Sequence, residues 1–178
     1  YTEDSIAATL FTQMMYELSK AAFADELGPV QFENLRQSRA LDFALPLLVA
    51  DPNSPWWDDV STSAIESHFE TVRIAWSNTL KHLQGLYGTS LLDWRWGTSH
   101  TLTHGHPLGR QKPLAKIFNV GPFPVPGGRE TPNNLSGSIG PAPWAVTYGP
   151  STRRVIDFAD AGKAVGINPL GQSGVWPD

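Results

Sequence analysis

Glycine and proline are spread unevenly along the chain, and this constrains the fold more than any other feature. Residues 1–104 hold four Gly and four Pro, whereas the shorter stretch 105–178 holds twelve and eleven. Both residues disfavour helix: glycine through backbone entropy, proline through its missing N–H and its ring. Residues 1–90 are therefore predicted to be mainly helical, and residues 91–178 to be short strands joined by loops. The fold class that follows is α+β.

The helical part can be read in more detail. A first helix is predicted over Asp4–Phe23, with Ile6, Leu10, Met14 and Leu18 recurring every four residues and Ala7, Phe11 and Ala22 widening the stripe. Gly28-Pro29 marks its stop. A second apolar stretch covers Phe32–Val49, with Pro46 expected to break or kink it, and 51–55 (Asp-Pro-Asn-Ser-Pro) reads as a loop. A third helix is predicted over Thr62–Gln84. Ser63 and Glu66 have capping-box spacing, and Ile65, Phe69, Val72, Trp76, Leu80 and Leu83 form one apolar face that ends at Gly85. Trp56 and Trp57 are expected to pack beneath it.

Beyond Gly97 the period changes. Strands are predicted over Thr98–His106, Trp144–Tyr148, Arg153–Phe158 and Ala164–Asn168, with turns at Pro126-Gly127-Gly128 and Gly140-Pro141.

Composition excludes several classes. The net charge is −4 with no basic run, which argues against nucleic acid as a main ligand. Charged residues make up only 17%, a share that suits a surface partly covered by partners. There is no cysteine, so disulfides, thiolate metal sites and cysteine nucleophiles are absent. No stretch approaches the ~20 apolar residues of a membrane span. The start, Tyr-Thr-Glu-Asp-Ser, has neither a methionine nor the pattern of a signal peptide, and the expectation is that it follows a cleavage site.

Local motifs offer little chemistry. Gly171-Gln172-Ser173-Gly174-Val175 lacks the glycine that a nucleophile elbow needs two places after its serine, so it reads as a turn. His100, His104 and His106 share strand parity, and three imidazoles on one face can bind zinc; hydrogen-bonded structural histidines are the default. Asp58-Asp59 precedes a predicted helix, where acids suit the dipole. Arg153 and Asp157 share parity and are expected to pair. No acid/base pair of carboxylates emerges.

Five strings taken in order change this picture. Trp94-Arg95-Trp96-Gly97-Thr98-Ser99-His100 with His106-Pro107-Leu108, then Phe118-Asn119-Val120-Gly121-Pro122-Phe123, then Gly127–Asn133 (Gly-Gly-Arg-Glu-Thr-Pro-Asn), then Gly149–Asp157, then Gly171-Gln172-Ser173-Gly174, together resemble the penicillin acylase family. They span about 85 residues, and residues 1–90 add little motif content.

The resemblance implies the C-terminal part of the β subunit of an N-terminal-nucleophile hydrolase with an αββα sandwich. It implies a self-cleaved, periplasmic or secreted precursor. A serine at the start of the β subunit attacks an amide carbonyl while its own α-amino group acts as base. That serine, with its oxyanion asparagine and companion arginine, lies outside the strings matched here, since residue 1 is Tyr. No catalytic residue is therefore expected in this chain, and Ser5 is not one. The implied partners are the α subunit and the N-terminal part of the β subunit. No cofactor is expected from this chain; structural calcium belongs, if anywhere, elsewhere in the assembly. His100, His106, Asn133, Asn134, Ser151, Arg153 and Asp157 are the polar residues expected to support the site or the structure. Substrates within the family divide between N-acyl-homoserine lactones and β-lactams such as penicillins, and the Trp-rich strings lean toward the former. A non-catalytic binding or scaffold module and a zinc hydrolase using the three histidines stand as alternatives.

Overall fold

The computed structural model describes residues 1–150 and 153–167. Helices dominate the first part and two small sheets lie in the second, in agreement with an α+β class. Helix α1 spans Ile6–Gln37. Ser5 caps it, its hydroxyl accepting from Ala8 N at 3.1 Å. Gly28 breaks the helical path with φ 70° and ψ 171°, and Pro29 opens the segment that follows, where its missing N–H is harmless. The predicted stop at Gly28-Pro29 is therefore a kink after which helix resumes, and Phe32 belongs to that continuation.

Helix α2 spans Ala40–Ala50 and runs through Pro46 without breaking. A proline inside a helix costs about 3 kcal/mol. Leu41, Leu45 and Leu48 are buried at one-turn spacing, and burying a leucine stabilises by about 1.5–3 kcal/mol each, so packing outweighs the local cost.

Helix α3 spans His68–Tyr87 and starts later than the capping-box spacing of Ser63 and Glu66 predicts. Glu66 is engaged in the preceding loop, accepting from Asp59 N and from the Thr62 hydroxyl. Asp58 belongs to the same loop, accepting from Glu66 N, so it does not sit at the helix terminus. The cap is Ser67 with Glu70, whose carboxylate accepts from the Ser67 amide at 2.8 Å and hydroxyl at 2.7 Å. These bonds hold the Glu70 carboxyl below its ordinary pKa. A depressed carboxylate stabilises the fold above its unfolded pKa and loses that effect as pH falls through its folded one. Glu70→Gln is thus expected to lower the melting temperature at pH 7, the gap to wild type narrowing as pH falls below the ordinary carboxylate range; a gap that does not change with pH counts against the cap.

The buried face of α3 also differs from the predicted stripe. Thr71, Ala75, Thr79 and Leu83 are buried, while Ile65, Phe69 and Trp76 are exposed. Helix α1 likewise buries Thr9, Gln13 and Ser19 beside Leu18 and Ala22. Small side chains let two helices approach closely, and α1 packs on α3 more than on any other element. Two of the hydroxyls are satisfied locally, Ser19 donating to Met15 O at 2.6 Å and Thr71 to Trp57 O at 2.6 Å, whereas Thr9 Oγ1 is buried and closes no hydrogen bond among the described residues. Trp57 is buried as expected, whereas Trp56 is half-exposed against Phe23.

After a short helical turn α4 (Trp96–Ser99), strand β1 covers His100–His104. Helix α5 (Lys112–Phe118) and strand β2 (Val120–Pro124) follow, both unforeseen in the sequence. Strand β3 is only Trp144–Ala145. The sheet order is β2-β1-β3, with β2 antiparallel and β3 parallel to β1. Strands β4 (Arg153–Val155) and β5 (Val165–Ile167) form a separate antiparallel pair, shorter than predicted.

Candidate functional site

The N-terminal segment ties the two halves together. Trp96 N donates to Ser5 O at 3.1 Å, Gly97 N to Glu3 O at 2.8 Å, and Gly127 N to Tyr1 O at 2.8 Å. Backbone groups of residues 1–5 are thus paired with α4 and with Gly127, and the Tyr1 ring is carried over Gly128. Trp96 is the centre of what results. Its Nε1 donates to Gly127 O at 2.8 Å, and its ring stacks on His100 at 4.4 Å and lies 5.2 Å from Trp144. Tyr1 meets it edge-on at 5.3 Å.

These aromatics wall a cavity of about 400 Å³, completed by Phe11 and Met15 of α1 and by the loop from Gly128 to Ala145. The loop is anchored from two sides. Arg129 pairs with Asp42 of α2 through Nε and Nη2, both at 2.7 Å, and also donates to Gly137 O at 3.2 Å. Gln13 accepts from Ala142 N at 2.9 Å and donates to Glu17 at 2.9 Å. Arg36 reaches Ile139 O at 2.9 Å.

His100 is the buried titratable group of this cavity. It is 2% exposed. Its Nδ1 lies 2.9 Å from Val125 O; a carbonyl only accepts, so Nδ1 is the protonated nitrogen. Nε2 is buried and closes no hydrogen bond among the described residues. Burial holds the imidazole below its ordinary pKa, while the carbonyls of Val125 and Leu135 pull the other way. Burial likewise raises the Tyr1 phenol, opposed by its bond to Thr12.

The other expected residues lie apart or serve the scaffold. His106 is exposed, its Nδ1 accepting from Leu108 N at 3.1 Å and its ring stacked on Phe118. His104 pairs with Val120 across the sheet. The turn at residues 107–110 has carried His106 off the strand, and among the described residues no group of three or more His, Cys, Asp or Glu side chains is placed to hold a metal. The three-histidine zinc reading is therefore lost. Asn133 Nδ2 donates to Pro126 O at 3.3 Å and Asn134 Oδ1 accepts from Ser136 at 2.9 Å, so both shape the loop. Arg153 and Asp157 form no ion pair among the described residues. Asp157 instead accepts from Ala159 N at 2.9 Å, closing a turn that ends the strand before parity can bring the two together. Ser151 and the Gly171–Gly174 turn lie outside the described residues.

Sequence reasoning missed Tyr1, Trp144, Arg129 and Asp42 as neighbours. Arg129 and Trp96 stood in the quoted strings, but nothing local pairs Arg129 with an aspartate 87 positions away. Of the hydroxyls near the cavity, Ser136 donates to the Asn134 amide oxygen at 2.9 Å and Ser99 to the Tyr87 phenol at 2.5 Å. The arrangement can enclose an apolar body.

Comparison with known proteins agrees with the strings. The family model for penicillin amidase matches residues 1–178. Similar proteins include the acyl-homoserine lactone acylase QuiP of Pseudomonas fluorescens, 27% identical over 96% of this chain and 21% of that protein. The proteins of that name from Pseudomonas aeruginosa and Pseudomonas syringae pv. tomato are 25% and 29% identical, over 97% and 96% of this chain and 22% and 21% of theirs. The chain therefore spans about a fifth of the length of these relatives.

Proposed function

The chain belongs to the penicillin amidase family, and from that premise we propose that it is one component of an amidohydrolase that cleaves N-acyl-homoserine lactones through an N-terminal serine on another chain. The observation that carries this reading is the match over residues 1–178, joined to relatives that bear the name acyl-homoserine lactone acylase.

In the proposed reaction the serine hydroxyl attacks the amide carbonyl and its own α-amino group takes the proton. Such an amine has an ordinary pKa of about 8, so a sizeable fraction is free base near neutral pH. The amine product leaves with that proton, and water then releases the acid from the acyl-enzyme. This chain contributes wall and support as part of the αββα sandwich. Its partners are the α subunit and the N-terminal part of the β subunit of one precursor, in the periplasm or outside the cell. Exposed Phe43 and Leu47 on α2, and Phe69 and Trp76 on α3, give it apolar surface suited to those partners. No helix among the described residues is long and apolar enough to cross a membrane.

The test is a comparison of initial rates for decanoyl-homoserine lactone and a phenylacetyl amide, using the complete assembly. The lactone is expected to be hydrolysed at least tenfold faster in kcat/KM. Faster cleavage of the phenylacetyl amide sinks the lactone assignment and favours β-lactams with aromatic acyl groups. N-terminal sequencing of every chain in the active particle checks the chemistry separately, a serine start being expected on one of them.

A further inference from the structure

The ribbon of β4 and β5 stands apart from the rest of the fold. Among the described residues its strands pair only with each other. Every residue from Arg153 to Ile167 is exposed, and Phe158, just past β4, is 95% exposed. A lone two-stranded ribbon is marginal in water; a third strand, or a body packed on one face, is what stabilises it.

Its two faces differ. Arg153 lies opposite Ile167, Arg154 opposite Gly166 and Val155 opposite Val165. Alternation along each strand therefore puts Val155, Val165 and Ile167 on one face with Arg153, and Arg154 with Gly166 on the other. The second face is closed by the ribbon itself. Arg154 Cγ lies 3.6 Å from the point where a Cβ on Gly166 would stand, so the arginine stem runs along the glycine while its charge meets water. The three β-branched side chains of the first face have no such cover among the described residues. The two edges differ as well. Strand β4 carries two arginines, and charge on an edge strand discourages pairing; β5 is Val-Gly-Ile, with neither charge nor proline. An unprotected edge and one apolar face are together what strand addition needs.

Family and size indicate what adds the strand. The penicillin amidase match runs through these residues, so the ribbon belongs to the shared family sequence, and the chain spans about a fifth of the length of its relatives. A strand from the same precursor is presented at an effective concentration of about millimolar, which a second copy in free solution does not match.

We propose that the free edge of β5 pairs with a β-strand in the remaining part of the same precursor, and that Val155, Val165 and Ile167 are turned onto apolar side chains of that part. This rests on the reading of the chain as one component of a larger amidase.

The test uses the complete assembly. Hydrogen exchange read by mass spectrometry is expected to be slowed at residues 165–167 by at least about a hundredfold relative to the same peptide unfolded, because these amides open only with the composite sheet. With Ile167 replaced by the photocrosslinking residue p-benzoylphenylalanine, irradiation is expected to join it to a peptide of the same precursor outside residues 1–178. Exchange at the unfolded rate overturns the proposal. So does a cross-link to a second copy, to a site within residues 1–178, or to nothing. If the labelled variant fails to assemble, exchange in the unmodified particle decides alone. The amidase reading is judged separately: a particle that hydrolyses the lactone while residues 165–167 exchange freely sinks the docking alone. A docked ribbon in a particle without a serine-start chain upholds the docking and sinks only the chemistry.

Discussion

Replacing Gly127 by alanine is expected to destabilise the chain by about 3 kcal/mol or more. Gly127 has φ 86°, where a side chain costs about 1–2 kcal/mol. A Cβ there also falls well inside contact distance of the Asn133 carbonyl, which is backbone and fixed by its own bonds from Gly128 N and Leu135 N. Something must move, and Gly127 is held at both polar groups, its N–H on Tyr1 O and its carbonyl under Trp96 Nε1. Losing either bond adds about 1 kcal/mol. Gly85 is the control. It lies within α3, with no atom within 4 Å of an added Cβ, so Gly85→Ala is expected to stabilise by about 0.5–1 kcal/mol. Urea midpoints measured side by side give both signs. A Gly127→Ala chain as stable as wild type contradicts the account of the turn.

The same turn shows what the sequence disclosed and what it withheld. Gly127-Gly128 after a proline predicts a turn there by composition alone, and the structure places the turn just beyond, at Arg129-Glu130, with Gly127 taking a positive φ of 86°. That Gly127 receives Trp96 and Tyr1 is a matter of contacts 31 and more than 120 positions apart, and no local pattern encodes those. The helices divide similarly. Periodicity predicts α1 and α3, but α1 runs on past Gly28-Pro29 to Gln37, α3 starts at His68 rather than Thr62, and the apolar stretch Phe32–Val49 divides between α1 and α2. Which face of α3 is buried did not follow, because a stripe of large apolar residues reads as core. Here Thr71, Ala75 and Thr79 take the core and leave Phe69 and Trp76 outside. Close helix contact through small residues has a weak signature in hydropathy. The reading of Ser63 and Glu66 as the cap failed for a related reason. The spacing Ser-x-x-Glu occurs twice, and the tertiary loop takes Glu66 for itself.

The candidate site was less legible than the fold. His100 stood among the polar residues to inspect, yet the zinc reading grouped it with His104 and His106 on the assumption of one straight strand. The strand ends at His104, and the turn that follows takes His106 away. His100 instead derives its environment from Trp96, four residues earlier, because the short helix α4 brings the two rings into register. A helical spacing of four was present in the sequence, but Gly97 and Thr98 between them pointed to extended chain.

Arg129→Met is expected to destabilise by about 2–3 kcal/mol, and Asp42→Leu combined with it to recover most of that loss. Arg129 and Asp42 are 24% and 14% exposed at their side chains, so the pair is screened less than a surface bridge and more than a fully buried one. Both contacts are 2.7 Å and use the two forked nitrogens, a geometry lysine cannot copy. Removing the arginine leaves the carboxylate of Asp42 half-buried beside α2 and also frees Gly137 O, so most of the loss is the cost of an unpaired charge rather than the worth of the pair. Arg129→Lys should therefore lie between wild type and Arg129→Met, keeping charge but not the fork. A double-mutant cycle on denaturation midpoints separates the two contributions. If Arg129→Met and the double variant are equally unstable, the loop around the cavity is held by something other than this pair, and Gln13 with its bond from Ala142 N becomes the residue to remove next.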